Sequence, residues 1–136
     1  ARMGSYVSNM IGIRTGGVFS GKTDLDDLKG RVAQIIAEMR DTKFDPDIAD
    51  DPSRCMSNEL KAHKGSYVVI AGVFNYWTFD KSSEFSKRLS KEFGCEVMHM
   101  CWNEQNNQVQ CQIFLDGRSL FEVTENPIKR ILRRVA

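Results

Sequence analysis

Apolar residues recur at three- and four-residue spacing in two stretches of the chain, as they do along one side of an amphipathic helix. The shorter stretch, Asp80 to Phe93, carries Phe85 and Leu89 at this spacing and is followed by Gly94, which suits a helix C-cap. The pattern predicts a helix in each stretch. In the longer one, Asp24 to Arg40, the apolar residues are Leu25, Leu28, Val32, Ile35, Ile36 and Met39.

Five other segments carry the apolar patterns of β-strands. Residues 6–14 alternate loosely and are typical of an edge strand or of one arm of a hairpin. The nearly continuous apolar run SYVVIAGVF, residues 66–74, predicts a central strand covered on both faces. Three further strands are predicted in CEVMHMCWN, QVQCQIFLD and SLFEV. A polar turn at Gln105-Asn106 joins the first two of these, and a hairpin turn at Asp116-Gly117 precedes the third.

The order of these elements predicts a single α+β domain over residues 1–136. Its architecture would be two-layered, a mostly antiparallel sheet of about five strands with three helices packed on it. The third helix is predicted to begin at Asn126, with Pro127 in its first turn. Residues 41–64 are predicted to form a long acidic loop with a helical turn near residues 58–62, and residues 1–5 to be vector-derived or flexible.

The turn at Gln105-Asn106 also predicts which residues of the last strands share a face. It places Met100 opposite Cys111, and we expect the more apolar face of this hairpin to form the core. The predicted core face consists of Met98, Met100, Trp102, Val109, Cys111, Ile113 and Leu115. The other face, predicted to be polar and partly exposed, carries His99, Cys101, Gln110 and Gln112.

Charge and cysteine usage exclude several classes of protein. With 19 basic and 18 acidic residues, the net charge of +1 gives no overall field that would attract nucleic acid or an anionic membrane. The four scattered cysteines favour a reducing, cytoplasmic setting without disulfides. Gly4 lies in MGSYVS, which fits a myristoylation motif, and membrane association is expected only if Gly4 is acylated.

The octapeptide GGVFSGKT matches the phosphate-binding loop pattern and gives an alternative, nucleotide-binding hypothesis. Four residues would form that site, Gly16, Gly21, Lys22 and Thr23. Three features oppose it. The preceding strand has the polar pattern of an edge strand, acidic residues in the next helical turn would repel a triphosphate, and Thr23 with Asp26 resembles a capping box.

Residues Cys95, His99 and Cys101 are spaced to lie on one face of a strand, which would suit zinc or a reactive thiol. Their spacing does not match usual zinc motifs, and a fourth ligand would have to come from a distant loop. The aspartates of residues 41–52 lack the glycine and glutamate of a calcium-binding loop. The sequence therefore predicts no metal and no cofactor.

No catalytic set of residues stands out, so the sequence favours a non-enzymatic protein-binding domain. An inhibitor or immunity-type protein that blocks a partner's active site is the narrower form of this prediction. An acidic loop would suit a partner with a basic cleft, and aromatic residues in a connection would serve as interface anchors. The predicted contact residues are Asp45, Asp47, Asp50, Asp51, Tyr76, Trp77, His99, Gln110 and Gln112.

Overall fold

The computed structural model describes residues 7–15, 25–39, 56, 60–62, 65–71 and 77–125. Within these residues, two helices cover one face of an antiparallel six-stranded sheet with the order β2-β3-β1-β4-β5-β6. The elements in chain order are β1 (Val7–Arg14), α1 (Leu25–Met39), β2 (Leu60–Ala62), β3 (Gly65–Ala71), α2 (Phe79–Phe93), β4 (Glu96–Asn103), β5 (Gln108–Leu115) and β6 (Arg118–Glu125).

This arrangement confirms the predicted α+β two-layer class and corrects the number of strands. The sheet has six strands, one more than expected, because residues 60–62 pair with β3 where a helical turn was predicted within the acidic loop. The third helix, predicted from Asn126, lies outside the described residues. None of the described helices is long and apolar enough to cross a membrane.

The two helices follow the predicted spacing, and α2 ends at the predicted cap. In α1, one side is buried and holds Leu28, Val32 and Ile36 against the sheet. The first helical residue of α2 follows Thr78, whose side-chain oxygen accepts a hydrogen bond from the Lys81 amide at 3.2 Å. At the other end, Gly94 adopts a left-handed conformation, φ 59°, and ends the helix as predicted.

The positions of the first strands in the sheet differ from the prediction. β1 was expected at an edge, yet it lies between β3 and β4 and pairs with both. β3 was expected in the middle, yet it is second from one edge, next to the short strand β2. Local patterns show how much of a strand is buried, whereas strand order depends on pairing between distant segments.

The predicted pairing of β4 with β5 is confirmed, but the predicted burial of their faces is wrong. Met100 does lie opposite Cys111, and Asp116-Gly117 does form the next hairpin turn. We call the helix-covered side of the sheet the inner face and the other side the outer face. The inner face buries Val97, His99, Cys101, Gln112 and Phe114. The outer face carries Met98, Met100, Trp102, Val109, Cys111, Ile113 and Leu115, which are half-buried or exposed.

Candidate functional site

Few of the sequence-predicted contact residues lie in the described part of the chain. Those in the described residues are Trp77, His99, Gln110 and Gln112. Those outside the described residues are Gly4, Gly16, Gly21, Lys22, Thr23, Asp45, Asp47, Asp50, Asp51 and Tyr76. The acidic-loop interface and the nucleotide-binding loop therefore stay predictions.

Trp77 is one of the candidate interface anchors from the sequence, and the structure places it in the core. Its side chain is 2% exposed, and its ring meets Phe85 edge-on with 5.5 Å between the ring centroids. Lys81 places its Nζ atom 4.5 Å from the indole centroid. Trp77 thus fixes the start of α2 on the sheet and presents little surface to a partner.

His99 was predicted to be partly exposed, and it is completely buried at the centre of a polar cluster on the inner face. Its Nε2 atom lies 2.8 Å from Oδ1 of Asn9, and its Nδ1 atom lies 2.9 Å from Oε1 of Gln112. Phe79 stacks on the imidazole with ring centroids 5.4 Å apart. Asn9 and Gln112 are themselves buried, so this cluster does not reach the surface and is best explained as a structural network.

The hydrogen bonds of this cluster couple the charge of His99 to the orientation of Gln112. Asn9 donates from Nδ2 to the Trp77 carbonyl at 3.3 Å, so its Oδ1 accepts from His99. A neutral ring then carries its proton on Nε2, and Nδ1 must accept from the amide nitrogen of Gln112. With the amide oxygen of Gln112 at Nδ1, the ring carries both protons. Burial lowers the pKa of His99 and so favours the neutral ring, whereas a hydrogen bond donated by Nδ1–H to Oε1 of Gln112 raises this pKa.

The three cysteines in the described residues do not form a reactive site. Cys95 and Cys101 share one face with His99, as predicted, but this face is buried, and burial raises the pKa of their thiols to about 12 and about 11. Burial also raises the pKa of Cys111, and all three thiols are free. A raised pKa leaves little thiolate at neutral pH. Across the part of the chain that the structure describes, no three His, Cys, Asp or Glu side chains could together hold a metal ion.

The outer face is the surface with the clearest potential for binding. Trp102 is 44% exposed, although large aromatic side chains are usually buried in the core or in an interface. The register of the strands places it on one face with other exposed apolar side chains from three neighbouring strands. Half-buried apolar side chains of β4 and β5 fill the space between them. We define the outer-face patch by its five exposed residues, Met10, Trp102, Leu115, Phe121 and Val123.

Charged side chains lie around this patch. Arg14 and Glu96 form an ion pair of 3.0 Å at one end of the face. On the edge strand β6, Arg118 lies beside Leu115 and Glu125 lies beside Val109, at opposite ends of the strand. An apolar centre with a charged rim is the usual composition of a protein interface.

The sequence correctly predicts that the outer-face residues of β4 and β5 share a face, but it assigns that face to the core. The alternation of apolar residues along β4 and β5 did indicate an apolar face, but a core face and a surface interface have the same alternation. What distinguishes the two faces is the side on which the helices pack. That depends on tertiary contacts such as those of Phe85 and Leu89 with the inner face.

No family model, no curated protein and no solved structure matches this chain. The function must therefore be inferred from the geometry of its own residues.

Proposed function

We propose that this chain is a non-enzymatic protein-binding domain whose interface is the outer-face patch. The observation that carries the proposal is the clustering of five exposed large apolar side chains on one face of the sheet. Burying them against another protein would release the water that they now order, which is the main driving force of association. Contiguous apolar patches of this kind commonly mark interaction sites.

Trp102 is the anchor of the proposed interface. It has the largest side chain of the patch, and its indole N–H donates to Oδ1 of Asn107 at 3.4 Å, which orients the ring. Exposed tryptophans that become fully covered are frequent hot spots, and their truncation typically costs about 2 kcal/mol or more of binding free energy. Trp102→Ala is therefore expected to weaken binding by roughly thirtyfold.

The proposal includes three narrower predictions from the sequence: an inhibitor or immunity-type role, a cytoplasmic location and a partner with a basic cleft. An inhibitor or immunity-type protein would use such a surface to cover a partner's active site, and the partner enzyme would lose activity on binding. The three free thiols in the described residues support a reducing compartment such as the cytoplasm. A basic cleft on the partner would additionally meet the aspartates of residues 41–52.

Photo-crosslinking tests the proposed interface directly. A benzophenone amino acid replaces Phe121 or Val123 on the patch, or Lys87 on the exposed side of α2 as the matched control. Each purified variant is irradiated with a lysate of the source cells, and the adducts are identified by mass spectrometry. We expect protein adducts from positions 121 and 123 that are missing from position 87. Absence of adducts from the patch, or the same adducts from the control, would refute the proposal.

A further inference from the structure

The outer face has dimensions that suit one particular partner. Four neighbouring strands, β1, β4, β5 and β6, each have eight residues. At about 4.8 Å between strands and about 3.3 Å per residue, they span an area of about 500 Å² in plan. Two such faces in contact would bury about 1,000 Å² or more, the size at which specific interfaces begin.

The charges on β6 are arranged so that the face complements itself. Arg118 and Glu125 both point to the outer face, one at each end of the strand. A two-fold axis that lies in the interface and runs across the strands would place β6 over β6 of a second copy, in the opposite direction. Arg118 of each copy would then lie over Glu125 of the other. Aligned packing of two sheets keeps strand directions within about 30°, which leaves these long side chains in reach.

We propose that the partner of the outer-face patch is a second copy of this chain, packed face to face about that two-fold axis. This inference rests on the proposed function, since it names the protein that the patch binds. Homodimer interfaces are more apolar than other protein interfaces, and the centre of this face carries mainly Met, Trp, Val, Ile and Phe side chains. A two-fold interface also needs only one self-complementary surface, which the opposed charges of β6 provide.

The proposed dimer makes Cys111 a geometric probe. Cys111 lies near the middle of β5 on the outer face, opposite Met100 and Val123. Because the axis crosses the strands, β5 of one copy would lie over β5 of the other, with the two sheets about 10 Å apart and both Cys111 side chains directed into the space between them. A short bismaleimide, which adds one thiol to each of its two double bonds, should then link two chains. The experiment uses Cys55→Ser as background and Cys55→Ser/Cys111→Ser as control.

Charge reversal tests the arrangement itself. The molar mass of the purified protein is measured by sedimentation and light scattering over a range of concentrations at low ionic strength. We expect a dimer whose dissociation constant rises about tenfold or more in Arg118→Glu and in Glu125→Arg, because each change opposes like charges. The double variant Arg118→Glu/Glu125→Arg should restore the dimer. Circular dichroism checks that every variant is folded.

The possible outcomes separate this inference from the proposed function. A monomer at all concentrations, or a dimer that neither charge reversal weakens, would overturn the inference. If the protein is monomeric but positions 121 and 123 crosslink to a different protein, the proposed function stands and the self-association falls. If the dimer forms, Cys111 links two chains and the double variant restores what the single variants lose, both stand.

Discussion

Oδ1 of Asn9 lies 2.8 Å from Nε2 of His99, although the two residues are 90 positions apart in the sequence. This contact joins β1 to β4 on the inner face and belongs to a network that also includes Gln112 and the Trp77 carbonyl. All three side chains are buried. A buried polar network of this kind specifies one register of the strands, because any slip would leave polar groups without partners.

The depressed pKa of His99 predicts a pH-dependent stability. The unfolded chain protonates His99 near pH 6.5 and the folded chain only at lower pH, because burial disfavours the charged ring. The contribution of His99 to the free energy of unfolding is thus complete above pH 6.5 and is lost as the pH falls toward the folded-state pKa. The slope can reach about 1.4 kcal/mol per pH unit.

Urea unfolding at pH 7.5 and 5.5 measures this contribution. His99→Gln should remove the contribution of His99 to the change in unfolding free energy between pH 7.5 and 5.5. His63→Gln, which changes the other histidine of the chain, should retain that contribution. Nitrogen NMR of the wild-type ring should show the proton on Nε2 at pH 7.5. A ring that titrates at or above pH 6.5 in the folded protein would contradict the prediction.

Two serines of α2 form a matched pair for measuring one hydrogen bond. Ser82 and Ser86 are both fully buried on the side that packs on the sheet. Ser86 donates from Oγ to the Ser82 carbonyl at 2.8 Å, whereas Ser82 Oγ has no hydrogen-bond partner among the described residues. Removing an unpaired buried hydroxyl relieves a desolvation cost, and removing a paired one loses about 1 kcal/mol.

We therefore expect Ser82→Ala to keep or increase the free energy of unfolding and Ser86→Ala to lower it by about 1 kcal/mol. Both substitutions remove the same atom from the same helix, so helix propensity cancels in the comparison. Thermal and urea unfolding of the two variants provide the test. Equal effects would show that the difference in hydrogen bonding has no energetic consequence.

Substitutions at the two residues of the turn between β5 and β6 should differ in their effect on the free energy of unfolding. Asp116 and Gly117 both have positive φ, 51° and 77°, as a two-residue hairpin requires. Gly117→Ala should lower the free energy of unfolding by about 1–2 kcal/mol, because a side chain is strained in this conformation. Asp116→Asn should leave it unchanged or raise it slightly, since Asn adopts positive φ readily. Equal stability of Gly117→Ala and the wild type in urea would contradict the assignment.

Calorimetry with ATP or GTP and magnesium tests the alternative reading of GGVFSGKT. We expect no binding heat, and no difference between the wild type and Lys22→Ala. β1, which precedes the octapeptide, pairs antiparallel on both sides, whereas phosphate-binding loops follow parallel strands. Asp26 and Asp27 also occupy the first turn of α1 and complement its positive end. Heat that disappears in Lys22→Ala would make this loop a nucleotide site.

The sequence predicted those features that depend on local chemistry. Both described helices, the cap at Gly94 and the turn at Asp116-Gly117 follow from side-chain spacing and from residues that accept special backbone angles. The pairing of Met100 with Cys111 followed from the position of the turn. These features need no information from distant parts of the chain.

Features that depend on distant segments were not predictable in the same way. Alternation showed that His99 and Cys101 share a face, but the choice of the buried face depends on where α1 and α2 pack. The sequence favours the more apolar side as the core, whereas the helices cover the side with His99 and Gln112. Burial of this polar pair is possible because Asn9, from a strand far away in sequence, completes their hydrogen bonds. For the same reason, sequence reasoning missed the outer-face patch.

The position of β1 between β3 and β4 also has a consequence for how the chain folds. β1 is synthesised before the other described strands, but it cannot acquire its second neighbour until residues 96–103 have left the ribosome. The segment from α2 to β6 has mainly short-range pairings and can form early, whereas closing the sheet around β1 requires a long loop. We expect φ-values to be high in the β4–β5 hairpin and low at Ile11 and Ile13. A nascent chain arrested before β4 would therefore leave β1, one of the two central strands, paired on one side only.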